Sequence, residues 1–213
     1  MILFADVGGT NTRVWKQGKG KVEALVIGMR GVWTPAEKAA WKKKLRGIAP
    51  KILVLSDIEL AHYLAFGLGP GVVLNAGTGS IAFGRNARGE TARAGGLGPL
   101  IGDDGSAFWI GREYLRLRYQ ISPDIGPIRP YVTGNDAVAK IAGLAKTVLK
   151  IAEKKPRSFE ARIVNEAYAH LRDLVGEVRA KLKISPSTPV QMTGGLFDNR
   201  FFKAGWRKFL SRV

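Results

Sequence analysis

Twice in this chain a short apolar stretch runs straight into a glycine-rich turn and emerges as a second strand-like stretch, and this repeated design limits the possible folds more than any other feature. The first copy is Ile2–Asp6, the turn Val7-Gly8-Gly9-Thr10-Asn11, and Thr12–Lys16. The second is a strand over 72–75, the turn Gly77-Thr78-Gly79-Ser80, and Ile81–Gly84, which returns through a polar turn at Asn86–Gly89 to a strand over 90–94. Glycine reaches positive φ without steric cost, so apolar runs broken by Gly-Gly or Gly-x-Gly read as hairpins. A chain that opens both halves in the same way is expected to build two related lobes.

The remaining periodicities fill in those lobes. A third strand is expected at 22–27, then a helix near 35–46, started by Thr34-Pro35 with Glu37 three residues after Thr34. The apolar run Ile52-Leu53-Val54-Leu55 predicts a strand that ends at Ser56-Asp57, before a helix from about 58 to 66. Helices are expected over about 104–119, 136–153 and 159–182. In the last, Ile163, Ala167, Leu171, Leu174, Val178 and Leu182 recur at helical spacing as one buried stripe. A strand at Pro189–Met192 leads into Thr193-Gly194-Gly195, and a short basic, aromatic helix follows from about 198. Strands followed by helices, twice over, predict an α/β chain with lobes at 1–70 and 71–213, the boundary falling near 68–72.

Both turns suit phosphate. Backbone N–H groups that converge on one concavity, with hydroxyls beside them, are what phosphate oxygens require. Gly8, Gly9, Thr10, Asn11 and Thr12 offer this chemistry once, and Gly77, Thr78, Gly79 and Ser80 offer it again. Asp6, at the end of the first strand, could hold Mg²⁺, which prefers one or two carboxylates plus phosphate oxygens. An ordinary Gly-Gly hairpin turn would account for the first segment alone equally well; two such turns together favour phosphate. Gly77–Ala82 also satisfies G-x-G-x-x-A, but a dinucleotide fingerprint must open a helix, whereas Ile81–Gly84 reads as a strand. No G-x-x-x-x-G-K-[ST] occurs.

Composition removes other classes. The chain has 213 residues, no Cys and two His, which excludes disulfides, Cys-ligated zinc and iron–sulfur clusters and disfavours a dedicated transition-metal site. Its 34 Lys and Arg against 17 Asp and Glu give a formal charge of +17. These cations are spread along the sequence without an aromatic-interleaved block, so they read as solvated faces rather than a nucleic-acid footprint, and they would equally attract a polyanion such as ATP. No apolar run approaches the roughly 20 residues that span a bilayer. The opening residues lack the basic start and long apolar stretch of a signal peptide, so a cytoplasmic location and no membrane partner are expected.

Asp6-x-Gly-Gly-Thr-x-Thr, Ala76-Gly77-Thr78-Gly79-Ser80, the run from Gly95 to Ser106 and Thr193-Gly194-Gly195 together resemble the N-acetylglucosamine kinase and BadF/BcrA-type ATPase branch of the actin-like superfamily. The third of these motifs is the most specific, and the resemblance covers most of residues 1–20 and 50–200. It implies two RNase H-like lobes around a nucleotide cleft, ATP as substrate, Mg²⁺ near Asp6, and a homodimer, which no residue here decides. It implies Asp57 as the catalytic base acting on a sugar hydroxyl, and Gly96, Leu97, Gly98 and Asp103 as further sugar contacts. It places Gly194 and Gly195 on the adenosine side.

Taken alone, Asp57 reads rather as the N-cap of the helix that follows, and only the surrounding motifs favour the base; Asp103 could cap helix 104–119 as well as contact a sugar. The rival function within the branch, a dehydratase-activating ATPase, needs a cysteine-held cluster that this chain cannot build. The family's Asn-containing sugar loop has no counterpart in Gly28–Thr34, where Trp33 reads as a packed surface residue, so the sugar's identity stays open. The expected activity is ATP-dependent phosphorylation of a small sugar such as N-acetylglucosamine, glucosamine or another hexose. The alternative is an ATP-binding regulatory or nucleic-acid-associated module, or an ATPase, without kinase activity.

Overall fold

The computed structural model describes residues 1–7, 12–121 and 124–210. The chain divides into two compact units, Met1–Leu68 and Gly69–Val213. Each is built around a four-stranded sheet.

In the first unit, β1 (Ile2–Val7) and β2 (Thr12–Gln17) pair antiparallel, with Phe4 opposite Trp15 and their rings stacked at 5.6 Å. β3 (Ala24–Met29) and β4 (Lys51–Ser56) add in parallel, giving the order β2-β1-β3-β4. Helices α1 (Pro35–Lys44) and α2 (Asp57–Phe66) provide the crossovers and covers that parallel strands require. Alternation along β1 sends Ala5 into a cluster with Leu25, Ile27, Met29 and Val54, against which Trp41 of α1 packs. It sends Phe4 to the other face, with Val26 and with Leu60 of α2. A methyl on Gly28 would lie 2.6 Å from the Leu60 side chain, so glycine is what lets α2 lie directly on β3. The third strand begins two residues later than its predicted start, because Leu25–Met29 all lie buried between two parallel neighbours.

The second unit begins with the meander β5 (Gly71–Ala76), β6 (Ser80–Arg85) and β7 (Thr91–Gly95). Five helices follow: α3 (Ala107–Ile121), α4 (Arg129–Val132), α5 (Ala137–Gly143), α6 (Ala145–Lys154) and α7 (Phe159–Leu182). β8 (Val190–Thr193) then joins β5 in parallel, and α8 (Gly195–Asp198) and α9 (Arg200–Leu210) follow it. The predicted stripe of α7 forms the centre of the core. Ile163, Ala167, Leu171, Val178 and Leu182 are buried there beside Val72, Leu74, Trp206 and Phe202, and Leu174 packs at the margin.

Two helical expectations are corrected. The helix predicted over 136–153 is two helices, since Gly143 weakens the run and the Leu144 N–H turns back to the Ile141 carbonyl at 3.1 Å. The short α4 had no counterpart in the periodicity. The rejected dinucleotide motif is settled by β6: a strand, not a helix, begins at Ser80. Among the described residues no helix is long and apolar enough to cross a membrane.

Candidate active site

In the first unit, β1, β3 and β4 run parallel, so their carboxyl ends share one edge of the sheet. Asp6 is in register with Gly28, which is in register with Leu55. Asp6 lies half-buried on the α2 face, and Asp57 follows immediately after β4. With one strand between them, the two positions stand about 10 Å apart across the sheet.

Asp57 does not cap α2. Ser56 is the N-cap: its hydroxyl accepts the Glu59 N–H at 3.3 Å, while the Glu59 carboxylate accepts the Ser56 N–H at 2.7 Å and the Lys38 ammonium at the same distance. This reciprocal capping box satisfies the helix start. Asp57 sits one residue further on, exposed, its carboxylate accepting only the Ile58 N–H at 2.9 Å. The second carboxylate oxygen is open to a ligand. The sequence signal for this assignment is the capping-box pattern Ser56-x-x-Glu59.

Gly8, Gly9, Thr10 and Asn11 lie outside the described residues. Thr12 is the exposed first residue of β2.

In the second unit, the turns after β5 and β8 adjoin because these strands are parallel, with Asn75 opposite Thr193. A methyl on Gly77 would stand 3.8 Å from the Gly195 nitrogen. Gly194, at φ +97°, passes so close to β5 that a methyl there would lie 2.5 Å from the Ala76 carbonyl oxygen, whereas Gly195 faces open space. Gly194 is therefore fixed by the fold, and Gly195 presents the bare backbone to which a nucleotide could come close.

The first two carbonyls of the Gly77–Ser80 turn point to the start of α3. Gly77 O accepts the Ala107 N–H at 2.8 Å and Thr78 O the Phe108 N–H at 3.2 Å, which uses the first free amides of α3. The Gly77 N–H is returned to the Gly79 carbonyl at 2.9 Å. The N–H groups of Thr78 and Gly79 have no partner among the described residues, and the Thr78 side chain is exposed. Two amides without a partner beside an exposed hydroxyl have the donor chemistry that an anion requires.

Ser80 is placed differently from its expected role as a phosphate donor. It is buried, its hydroxyl donates to the Asp104 carbonyl at 2.7 Å, and its N–H points to an Asp103 carboxylate oxygen at 3.4 Å. Both donors are spent inside the protein.

Asp103 is likewise internal. It is 8% exposed, adopts φ +61°, and lies so close beneath Gly79 that a methyl there would meet its Oδ2 at 2.6 Å. Nor does it cap the helix. α3 starts at Ala107, and the Ser106 hydroxyl accepts the Trp109 N–H at 3.1 Å. Asp103 thus braces the turn from below. Gly96 joins the same cluster through its N–H to the Ser80 carbonyl at 2.8 Å, and the loop beyond it exposes Leu97. Gly98 adopts φ +83° with open space around it. Trp33, half-buried, donates its N–H to Glu37 in the Thr34 capping box.

A sequence profile of the BadF/BadG/BcrA/BcrD ATPase family matches residues 7–212. The chain belongs to this family. Over 102 residues it is 39% identical to an N-acetylmuramic acid/N-acetylglucosamine kinase of Clostridium acetobutylicum, a match covering 47% of this chain and 33% of that protein. Over 207 residues it is 29% identical to an N-acetyl-D-glucosamine kinase of Dictyostelium discoideum, covering 84% and 64%. The chain thus spans less than two thirds of either relative.

As folds, a crystallised N-acetylglucosamine kinase candidate from Porphyromonas gingivalis superposes with a TM-score of 0.72 at 17% identity, over 100% of this chain and 91% of that one. A ROK hexokinase from Thermus thermophilus superposes with a TM-score of 0.56 at 11% identity, over 99% and 89%. At these identities the likeness is one of fold alone.

Proposed function

We propose that the chain is an ATP-dependent kinase that phosphorylates a hydroxyl of a small sugar, with N-acetylglucosamine or a related amino sugar as the first choice. The observation that carries this reading is the release of Asp57 from capping duty. A carboxylate at the mouth of a parallel sheet, with one oxygen open, is suited to take a proton from an incoming hydroxyl. The open Thr78 and Gly79 amides and the bare Gly195 backbone supply phosphate and nucleotide chemistry, and the two kinase relatives make the amino sugar the natural acceptor.

Magnesium fits Asp6. The carboxylate is half-buried with no partner among the described residues, and no group of three or more His, Cys, Asp and Glu exists among them to form an all-protein cage. One carboxylate plus nucleotide oxygens is a usual magnesium environment, and the ion would screen phosphate charge.

In the reaction, Asp57 accepts the proton as the sugar oxygen attacks the γ-phosphorus, the bond to the bridging oxygen breaks, and ADP leaves. The phosphate turns contribute positioning and charge stabilisation.

The test is ADP release from Mg-ATP with N-acetylglucosamine, glucosamine, N-acetylmuramic acid, glucose and no sugar. Stimulation by one sugar, with a phosphorylated product, is expected. ATP binding that no sugar converts into faster turnover would leave a nucleotide-binding module without kinase activity.

A further inference from the structure

A third charged residue stands between the two carboxylates at the carboxyl edge of the first sheet. β3 lies between β1 and β4, and its last residue, Met29, is in register with Val7 on one side and Ser56 on the other. Arg30 follows it. It is therefore rooted between the strand that carries Asp6 and the strand that delivers Asp57.

Its backbone is pinned. The Arg30 N–H donates to the Val7 carbonyl at 3.1 Å, the Val32 N–H closes back on the Met29 carbonyl at 3.3 Å, Gly31 takes φ +79°, and Val32 is buried in the core beside Met29. The side chain is exposed and forms no ion pair, hydrogen bond or ring contact among the described residues. Other cations close to carboxylates are used: Lys38 pairs with Glu59 and Arg112 with Asp104 and Glu113. A guanidinium rooted on the strand between those that carry Asp6 and Asp57, yet paired with neither, is available to an anion from outside the protein.

We propose that Arg30 contacts the phosphoryl group being transferred, a role that rests on the phosphotransfer reading above. The group in transit would pass between Asp6, at the end of β1, and a hydroxyl beside Asp57 beyond β4. One strand spacing of about 4.8 Å from each, the end of β3 is the midpoint. The planar fork of arginine matches two phosphoryl oxygens, and charge spread over the equatorial oxygens at the transition state is what such a cation stabilises. The sugar oxygen forms its bond to phosphorus as the bridging bond breaks, the proton goes to Asp57, and Arg30 exchanges none.

Calorimetric binding of ADP and of a non-hydrolysable ATP analogue to the full chain tests this without knowledge of the sugar, because ADP lacks the transferred group. Arg30→Gln is expected to weaken the analogue about ten- to hundred-fold and leave ADP unchanged, with Arg30→Lys between. An unchanged melting temperature, expected for an exposed side chain, would confirm that folding is intact. Equal losses for both nucleotides, or none, would overturn the proposal. So would a change confined to the KM of a carboxylated sugar, which would put the guanidinium on the acceptor instead. A wild-type chain that binds neither nucleotide would remove the phosphotransfer reading itself.

Discussion

Gly194 and Gly195 are neighbours in sequence, yet the structure assigns them opposite sensitivities. Gly194 sits at φ +97° and ψ 156°, a region essentially reserved for glycine, where another residue costs about 1–3 kcal/mol. An alanine methyl there would also stand 2.5 Å from the carbonyl oxygen of Ala76, the last residue of β5, held in register with Ser80 of β6; a backbone atom, unlike the end of a side chain, cannot swing aside. Overpacking of this kind costs a further 1–3 kcal/mol or so, giving roughly 2–6 kcal/mol in total. For a unit of this size that is a fall of roughly 5–20 °C in melting temperature.

Gly195 has ordinary φ, open space, and a place in the first turn of α8, where alanine is the better helix former by up to about 1 kcal/mol. Gly195→Ala should melt at or above the wild-type temperature yet bind ADP at least about tenfold more weakly, the equivalent of 1.4 kcal/mol of lost contact. Scanning calorimetry and ADP titration on both variants separate the two effects. A Gly194→Ala protein with the wild-type midpoint would refute the packing argument. A Gly195→Ala protein with wild-type ADP affinity would refute the placement of the nucleotide.

Three further outcomes follow from the same geometry. Ser56→Ala removes the cap of α2 and should cost about 0.5–2 kcal/mol in urea unfolding while the folded protein keeps its turnover, because Asp57 is not the cap. Thr78→Val removes the one exposed hydroxyl of the second turn and should lower ATP affinity with no change in circular dichroism; equal affinity would discount that turn. Tyr168 is buried, its hydroxyl donating to the Phe202 carbonyl at 3.0 Å, and burial raises its pKa above the ordinary value near 10. The folded state therefore keeps a proton that the unfolded chain releases, so its contribution is complete below about pH 10 and declines as pH rises beyond that. The stability gap between wild type and Tyr168→Phe should narrow from pH 9 to 11, and a constant gap would contradict this.

The strands and hairpins were legible because their signals are local. Val72–Leu74 and Ile52–Leu55 are short apolar runs, the glycines punctuate them, and Thr34-x-x-Glu37 marks α1. The stripe of α7 was equally plain from its spacing. What escaped was set by contacts across the chain. The split at Gly143–Leu144 accompanies the crossing of α3 and α5, where a methyl on Gly111 would overlap the Ile141 carbonyl. No periodicity carries that information. Asp103 reads as an exposed ligand in a glycine-rich loop; only the folding of that loop under β6 turns its carboxylate inward to Gly79 and Ser80. The inward turn of the Ser80 hydroxyl has the same cause, its partner Asp104 lying 24 residues away. The Ser56 cap, by contrast, is written locally, in Ser56-x-x-Glu59.

The most direct test of the central claim is one variant measured three ways. Asp57→Asn keeps the size of the side chain and leaves the Ser56–Glu59 cap intact, so melting temperature and ATP affinity should match wild type. Turnover with the stimulating sugar should fall by about 10²–10⁴-fold, the usual contribution of a general base. A variant that turns over at near the wild-type rate would show that Asp57 is not the base.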